Sequence, residues 1–445
     1  MAIALPSQSP LRSKAFTYGV ATSSFQIEGG RQLRDASIWD TFCATEGKIA
    51  DGSNGDTACD HVEKWLEDIE LIDSLGVDAY RFSISWPRIV RADGSINQMG
   101  LDYYLSILDT LNAKNIKAFV TLYHWDLPQH LEDNGGWLNR DTSFAFKRYA
   151  DVVSKAFGSR VHAYATLNEP FCSAFLGYEA GVHAPGLVGK QYSRKAAHHL
   201  LLAHGLAADC IRTNCPSAQF GIVLNFTPCY AETKSTEDRQ AANYADDYHN
   251  QWYIKPLFDG CYPDIIDSMP AEQQPEIHAG DMETIRQPLD FLGVNFYTRT
   301  IYSADAIEKY REVAPVDVPV TDMGWEIFPQ AFTELLVSLN RKYTLPPIYI
   351  TENGCALKDE LVEGEINDVG RIDYYNAHLN ALHDAMEQGV DVRGYFAWSL
   401  MDNFEWAEGY LKRFGLVYVD YKTQQRIPKA SALAYRDFLL SRDTS

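Results

Sequence analysis

The chain reads as a single (β/α)8 barrel on three observations. Short runs of β-branched and aromatic residues recur eight times between residues 16 and 399. Amphipathic stretches with apolar residues at three- and four-residue spacing separate them. Nearly every run ends near a polar or aromatic residue, and in a parallel barrel those ends share one face, the C-terminal mouth.

The first run, FTYGVA at 16–21, leads to Gln26. DAYRFSIS at 78–85 follows the helix-patterned HVEKWLEDIELIDSLG and carries Arg81. KAFVTLYH at 117–124 follows LDYYLSILDTLNAKN and ends in His124-Trp125, and VHAYATL at 161–167 follows FAFKRYADVVSKAFG and ends in Asn168-Glu169. QFGIVLNF at 219–226 holds Asn225, DFLGVNFY at 290–297 holds Asn295 and Tyr297, and PIYITE at 347–352 ends in Glu352. VRGYFAWS at 392–399 follows DYYNAHLNALHDAMEQG and reaches Trp398. Gly or Asn near the ends of the helical stretches suits their termination, and strand alternating with helix predicts a parallel closed sheet. Extra length is expected in loops at 21–70, 176–197, 231–265, 303–334 and 357–370, which in such a barrel crowd the mouth. No linker, low-complexity tract or short repeat interrupts the 445 residues, so one domain over 1–445 is expected despite the length.

Composition narrows the function. The net charge of −21 is spread along the chain without a basic block, which disfavours nucleic acid and anionic membranes as partners. No apolar run is long enough to span a bilayer, and MAIALPSQSPLRSK lacks a basic n-region and a usable h-region, so a cytoplasmic protein is expected. Eight cysteines without a CxxC pair read as free thiols in a reducing compartment. His198, His199 and His204 in AHHLLLAHG lack the HExxH arrangement and read as structural. GxGxxG after a strand, a P-loop and GxSxG are all missing, so dinucleotide, nucleotide and serine-hydrolase chemistry are unsupported, and no metal or cofactor is expected.

What remains is a pair of acids. Asn168-Glu169-Pro170 and Glu352-Asn353-Gly354 follow strands four and seven. Either Glu alone would read as a solvated charge or an ion-pair partner. Together, across one mouth, a carboxylic acid and a carboxylate are what glycosidic-bond hydrolysis requires: one protonates the leaving oxygen and the other attacks the sugar carbon. Tyr297 and Arg81 are expected to keep Glu352 ionised, and the charge of Glu352 to keep Glu169 protonated. Trp125, Trp325, Trp398 and Trp406 fall at strand ends or mouth loops, where an indole can cover the apolar face of a sugar ring. Cys172 has no activating neighbour in sequence and reads as pocket wall.

At these positions the chain resembles glycoside hydrolase family 1, the retaining β-glucosidases and their relatives. The resemblance rests on FTYGVATSSFQIEGG, TLYHWDLPQ, TLNEP, GVNFYT, ITENG and WSLMDNFEW, in that order over nearly the whole length. It implies that Glu169 is the acid/base and Glu352 the nucleophile, with Tyr297 orienting Glu352 and Arg81 beneath it. It implies that Gln26, His124, Asn168, Glu405 and Trp406 bind hydroxyls of the non-reducing sugar over Trp398, and that Trp325, Phe171, Cys172, Asn225 and Leu176 shape the aglycone entrance. Asn295 and Trp125, at the ends of their strands, are counted with the substrate-binding residues. Glu at 169, where the family's thioglucosidases carry Gln, implies O-glycosides, and a carboxylate at 405 implies a neutral rather than a phosphorylated sugar. Phe171 departs from the Trp of many relatives.

The reading that follows is a retaining β-glucosidase acting on cellobiose, short β-glucans and aryl β-glucosides. The rivals are a β-galactosidase- or β-fucosidase-preferring relative or transglycosidase of the same family, and a catalytically silent sugar-binding homologue. The last is expected to lack one carboxylate, and this chain carries both. The oligomeric state is left undecided.

Overall fold

The computed structural model describes residues 2–442. Eight parallel strands close a barrel: β1 (Thr17–Ala21), β2 (Ala79–Ser83), β3 (Lys117–Tyr123), β4 (Ala163–Asn168), β5 (Gln219–Asn225), β6 (Phe291–Asn295), β7 (Ile348–Asn353) and β8 (Val392–Trp398). They neighbour one another in sequence order, and β1 closes onto β8 with Thr17 opposite Gly394 and Ala21 opposite Trp398. All eight fall where the apolar runs predict them, trimmed by up to two residues at an end and, for β4 and β7, extended by one at the other.

Five strands are buried at every position and the other three at all but one or two positions near an end, so both faces are covered and the runs are mainly apolar rather than alternating. The barrel interior below the mouth is filled by a few large rings against small residues. Phe119 sits 4.9 Å from Phe396 and 5.2 Å from Tyr349, and Phe291 sits 5.6 Å from Tyr349. Glycines and alanines face them. A Cβ at Gly19 would lie 2.4 Å from the Phe396 ring, and one at Gly221 would lie 2.6 Å from that of Phe291.

Outside the barrel, helices His61–Ser74, Gln98–Ala113, Asp141–Phe157 and Val369–Glu387 match the amphipathic stretches and extend some of them by a few residues. Helices Lys190–Asn214, Pro329–Lys342 and Ala430–Leu440 complete the outer ring with them. The expectation that the additional length is loop needs correction. The segment 231–265 contains helices Thr236–Asp246 and Trp252–Phe258. Thr300–Asp305 and Lys309–Val313 form a hairpin joined by Cys229–Ala231 into a small three-stranded sheet, and Val417–Asp420 pairs with Gln425–Pro428. These elements are short, and the largely exposed, polar strand Lys309–Val313 carries little apolar signal.

Gly221→Ala would press a methyl group against the Phe291 ring and its carbonyl oxygen. Differential scanning calorimetry is expected to show a midpoint lower by a few degrees, for a cost of about 1–3 kcal/mol. An unchanged midpoint would contradict this packing.

Candidate active site

The strand ends bend their side chains into the mouth through local breaks in register. The β4/β5 pairing slips between Ala165 and Asn168, and the β6/β7 pairing slips between Ile350 and Glu352, so Glu352 comes opposite Asn295. Glu169 follows with φ +46°, in the left-handed region, its amide tied to the Val223 carbonyl at 2.9 Å.

Glu352 is buried, and each of its oxygens has a donor. Arg81 Nη1 donates to Oε1 at 2.7 Å, and the Tyr297 hydroxyl donates to Oε2 at 2.6 Å. Arg81 Nη2 donates to Asn168 Oδ1 at 2.7 Å. Asn295 Nδ2 donates to Glu169 Oε1 at 2.6 Å and to Asn168 Oδ1 at 3.1 Å, while Thr351 Oγ1 holds the Asn295 oxygen at 2.6 Å. The two carboxyl groups thus belong to one continuous hydrogen-bonded set.

Their environments differ. Burial first, and the charge of Glu352 second, push the Glu169 carboxyl up to about 8. The order of causes differs from the sequence expectation, which named only the charge. Burial also raises Glu352, but Arg81 and Tyr297 pull it back toward the ionised form. The pair therefore carries a proton near neutral pH, and it resides on Glu169.

Asn168 also sets a tautomer. With its oxygen taken by Arg81 and Asn295, its Nδ2 donates to His124 Nε2 at 3.1 Å. The imidazole proton is then on Nδ1, which is buried without a protein partner, and burial together with Arg81 keeps the ring neutral.

These groups open onto a cavity of about 710 Å3. Its wall includes His124, Trp125, Glu169, Phe171, Cys172, Leu176, Asn225, Asn295, Tyr297, Trp325, Glu352, Trp398, Glu405 and Trp406. Gln26, Arg81 and Asn168 lie behind that wall, each 2% exposed or less. Gln26 Nε2 donates to Asn403 Oδ1 and the Phe404 carbonyl, both at 2.9 Å, so it braces the loop that carries Glu405. Burial, then the charges of Glu352, Glu169 and Glu408, push the Glu405 carboxyl up to about 8.

The aromatic side of the cavity is layered. His124 lies between Trp398 and Trp406, 5.8 Å from each and 19° off parallel to both, and Trp125 packs 4.5 Å from Trp406 while donating Nε1 to the Asn168 carbonyl at 2.9 Å. Toward the entrance Phe171 stacks on Phe175 at 5.1 Å, and Trp325 sits 5.5 Å from Tyr297. Sequence reasoning missed His183, Arg299, Phe226 and Phe414 in this lining. Arg299, two residues past Tyr297, is recoverable from the same strand end; His183 and Phe414 come from loops with no period to place them.

Fold and site together define a glycoside-cleaving barrel. The profile of Glycosyl hydrolase family 1 matches residues 8–444. A Beta-glucosidase of Agrobacterium sp. is 44% identical over 94% of this chain and 93% of its own. A Bifunctional beta-D-glucosidase/beta-D-fucosidase of Bifidobacterium breve is 42% identical over 96% of this chain and 97% of its own. The solved Family 1 b-glucosidase from Thermotoga maritima superposes with a TM-score of 0.94 at 42% identity, covering 100% of this chain and 99% of that one. The chain belongs to glycosyl hydrolase family 1.

The loop carrying Glu405 is anchored from below by buried charges. Lys429 Nζ bridges Asp402 Oδ1 at 2.7 Å and Asp359 Oδ2 at 2.5 Å, Arg413 Nη1 holds Asp402 Oδ2 at 2.6 Å, and Arg371 binds Asp359 and Asp368. Lys429→Met leaves two buried carboxylates short of a cation, and urea unfolding is expected to show a loss of about 3–5 kcal/mol. KM for glucosides is expected to rise with it, and a variant with parent stability would argue against this anchor.

Proposed function

We propose that Glu352 and Glu169 carry out a double displacement at the anomeric carbon of a β-glucoside. The protein is a β-glucosidase that releases terminal non-reducing β-D-glucosyl residues from cellobiose, short β-glucans and aryl β-glucosides. The observation that carries the mechanism is the opposed environment of the two carboxyls, one supplied with a guanidinium and a phenol, the other burdened with burial and a neighbouring charge.

Glu352, ionised beside Arg81, attacks the anomeric carbon while protonated Glu169 gives its proton to the leaving oxygen. A covalent glycosyl-enzyme results and neutralises Glu352. With that charge gone, the Glu169 carboxylate is a competent base, and it deprotonates the water that frees the sugar. The scheme uses no metal or organic cofactor. Trp398 and Trp406 flank the sugar, His124 binds a hydroxyl, and Glu405 binds the 4- and 6-hydroxyls. Gln26 and Asn168 act from behind, by orienting Glu405 and His124. Phe171, Cys172, Leu176, Asn225 and Trp325 border the aglycone.

The same reading places the whole chain in one domain and the enzyme in the cytoplasm, acting on the soluble products of cellulose breakdown. Eight free cysteines support a reducing compartment, and no helix among the described residues is long and apolar enough to cross a membrane.

Incubation with a 2-deoxy-2-fluoro glucoside bearing a good leaving group is expected to place the label on Glu352 by mass spectrometry, and label on another carboxyl would overturn the assignment. Glu169→Ala is expected to cripple cellobiose turnover far more than glycosylation by an activated aryl glucoside, with azide accelerating release as a β-glycosyl azide.

Losing the two hydrogen bonds of this buried carboxyl group to a sugar costs about 1–3 kcal/mol in all, so Glu405→Ala is expected to lower kcat/KM on glucosides roughly ten- to a hundredfold. Parent preference for a 6-phosphoglucoside would refute the role of Glu405.

A further inference from the structure

The thiol of Cys172 sits on the carboxyl group of Glu169. Sγ lies 3.0 Å from Glu169 Oε2, and the Cys172 amide donates to the Glu169 carbonyl at 2.9 Å. A non-glycine residue at φ +46° needs such ties, because a Cβ makes the left-handed region unfavourable. Cys172 opens the π-helical segment Cys172–Leu176, which aims its side chain back along the chain onto that carboxyl.

Each oxygen of Glu169 therefore receives one protein donor: Asn295 Nδ2 at Oε1 and Cys172 Sγ at Oε2. A carboxylate has a second lone pair on each oxygen, and Glu169 lines the cavity, so those remain for the catalytic proton. Burial, followed by the charges of Glu169 and Glu352, pushes the thiol well above its ordinary range. The sulfur thus keeps its proton throughout the working range and acts as a donor, not as a nucleophile.

We propose that Cys172 is a positioning residue for Glu169, its S–H donating to the carboxylate formed each time Glu169 gives up its proton, and thereby setting both the rotamer of that carboxyl and the pH at which it ionises. The inference rests on the reading of Glu169 as the acid/base. The other groups acting on Glu169 are Glu352 from β7, Arg81 from β2, Tyr297 just past β6 and Glu405 from the loop after β8, with His124 on the same cavity wall. Exchanging Cys172 leaves all of those charges in place and removes one neutral donor.

The sign follows from the bond. A donor to the charged form lowers a carboxyl's pKa, so its loss raises it. Since kcat/KM falls as Glu169 loses its proton, the basic limb of the profile moves to higher pH. In hydrolysis of cellobiose, whose leaving oxygen needs that proton, Cys172→Ala is expected to shift that limb upward by roughly half a pH unit, the scale of a weak neutral hydrogen bond. Cys172→Ser restores a donor and is expected to bring the limb back to the parent position or below it. The limb's midpoint does not depend on what fraction of a variant folds, so a loss of stability does not mask the result. Glu169→Gln, run in parallel, is expected to lose the limb. If it does, and Cys172→Ala leaves the limb unmoved, the thiol is wall and the proposal falls. A parent-like limb in Glu169→Gln overturns the acid assignment of Glu169 instead.

Discussion

The rest of the site depends on Arg81. Its guanidinium is 2% exposed at the centre of the barrel mouth, where an unpaired cation would cost several kcal/mol in lost hydration. Three contacts offset this: Glu352 at 2.7 Å, Asn168 Oδ1 at 2.7 Å and the Thr351 carbonyl at 3.2 Å. Because Arg81 favours an anion beside it, the negative charge of the carboxyl pair settles on Glu352, and the proton is left to Glu169. Because it occupies the Asn168 oxygen, the Asn168 amide nitrogen must turn to His124, which then carries its proton on Nδ1. One cation sets the protonation of two acids and the tautomer of an imidazole.

That arrangement is held by a backbone that is itself under constraint. Trp125, Glu169 and Trp406 all have positive φ, at 75°, 46° and 48°, and all three line the cavity. Non-glycine residues persist there only where the surroundings over-determine them. Trp125 is fixed by its indole bond to the Asn168 carbonyl, Glu169 by the Val223 carbonyl and the Cys172 amide, and the Trp406 loop by Gln26 and the Asp402–Lys429 anchor.

How much of this was legible in the sequence follows from the range of each signal. The barrel strands are short, doubly buried and apolar, so their pattern is local, and the strand-end residues Glu169, Glu352, Asn295 and Tyr297 inherit their position from it. Which ring fills which gap was not legible: Gly19 against Phe396 and Gly221 against Phe291 join strands far apart in the chain. The bracing role of Gln26 escaped for the same reason, since its partners Asn403 and Phe404 lie some 380 residues away. Cys172 shows the opposite failure. Its distance of three residues from Glu169 was plain, yet only the left-handed turn at Glu169 and the π-helical segment bring the thiol onto the carboxyl.

The cavity's field also bears on what it admits. Glu169, Glu352 and Glu405 share its wall, and the cation nearest them, Arg81, is committed to Glu352 behind it. The other guanidinium in the lining, Arg299, is held by both oxygens of Glu326, at 2.9 and 3.1 Å, with Phe328 3.6 Å beneath it. No cation of the wall among the described residues is therefore disposed to receive a phosphate or carboxylate on the sugar. A neutral pyranose meets oxygens that accept from its hydroxyls, an imidazole that donates, and indoles that cover its apolar face. An anionic one meets the Glu352 carboxylate in a space with little water to screen it. The negative charge that Arg81 settles on Glu352 both helps to raise the pKa of Glu169 and disfavours a second anion in the cavity, so the acid's protonation and the preference for a neutral sugar share one source.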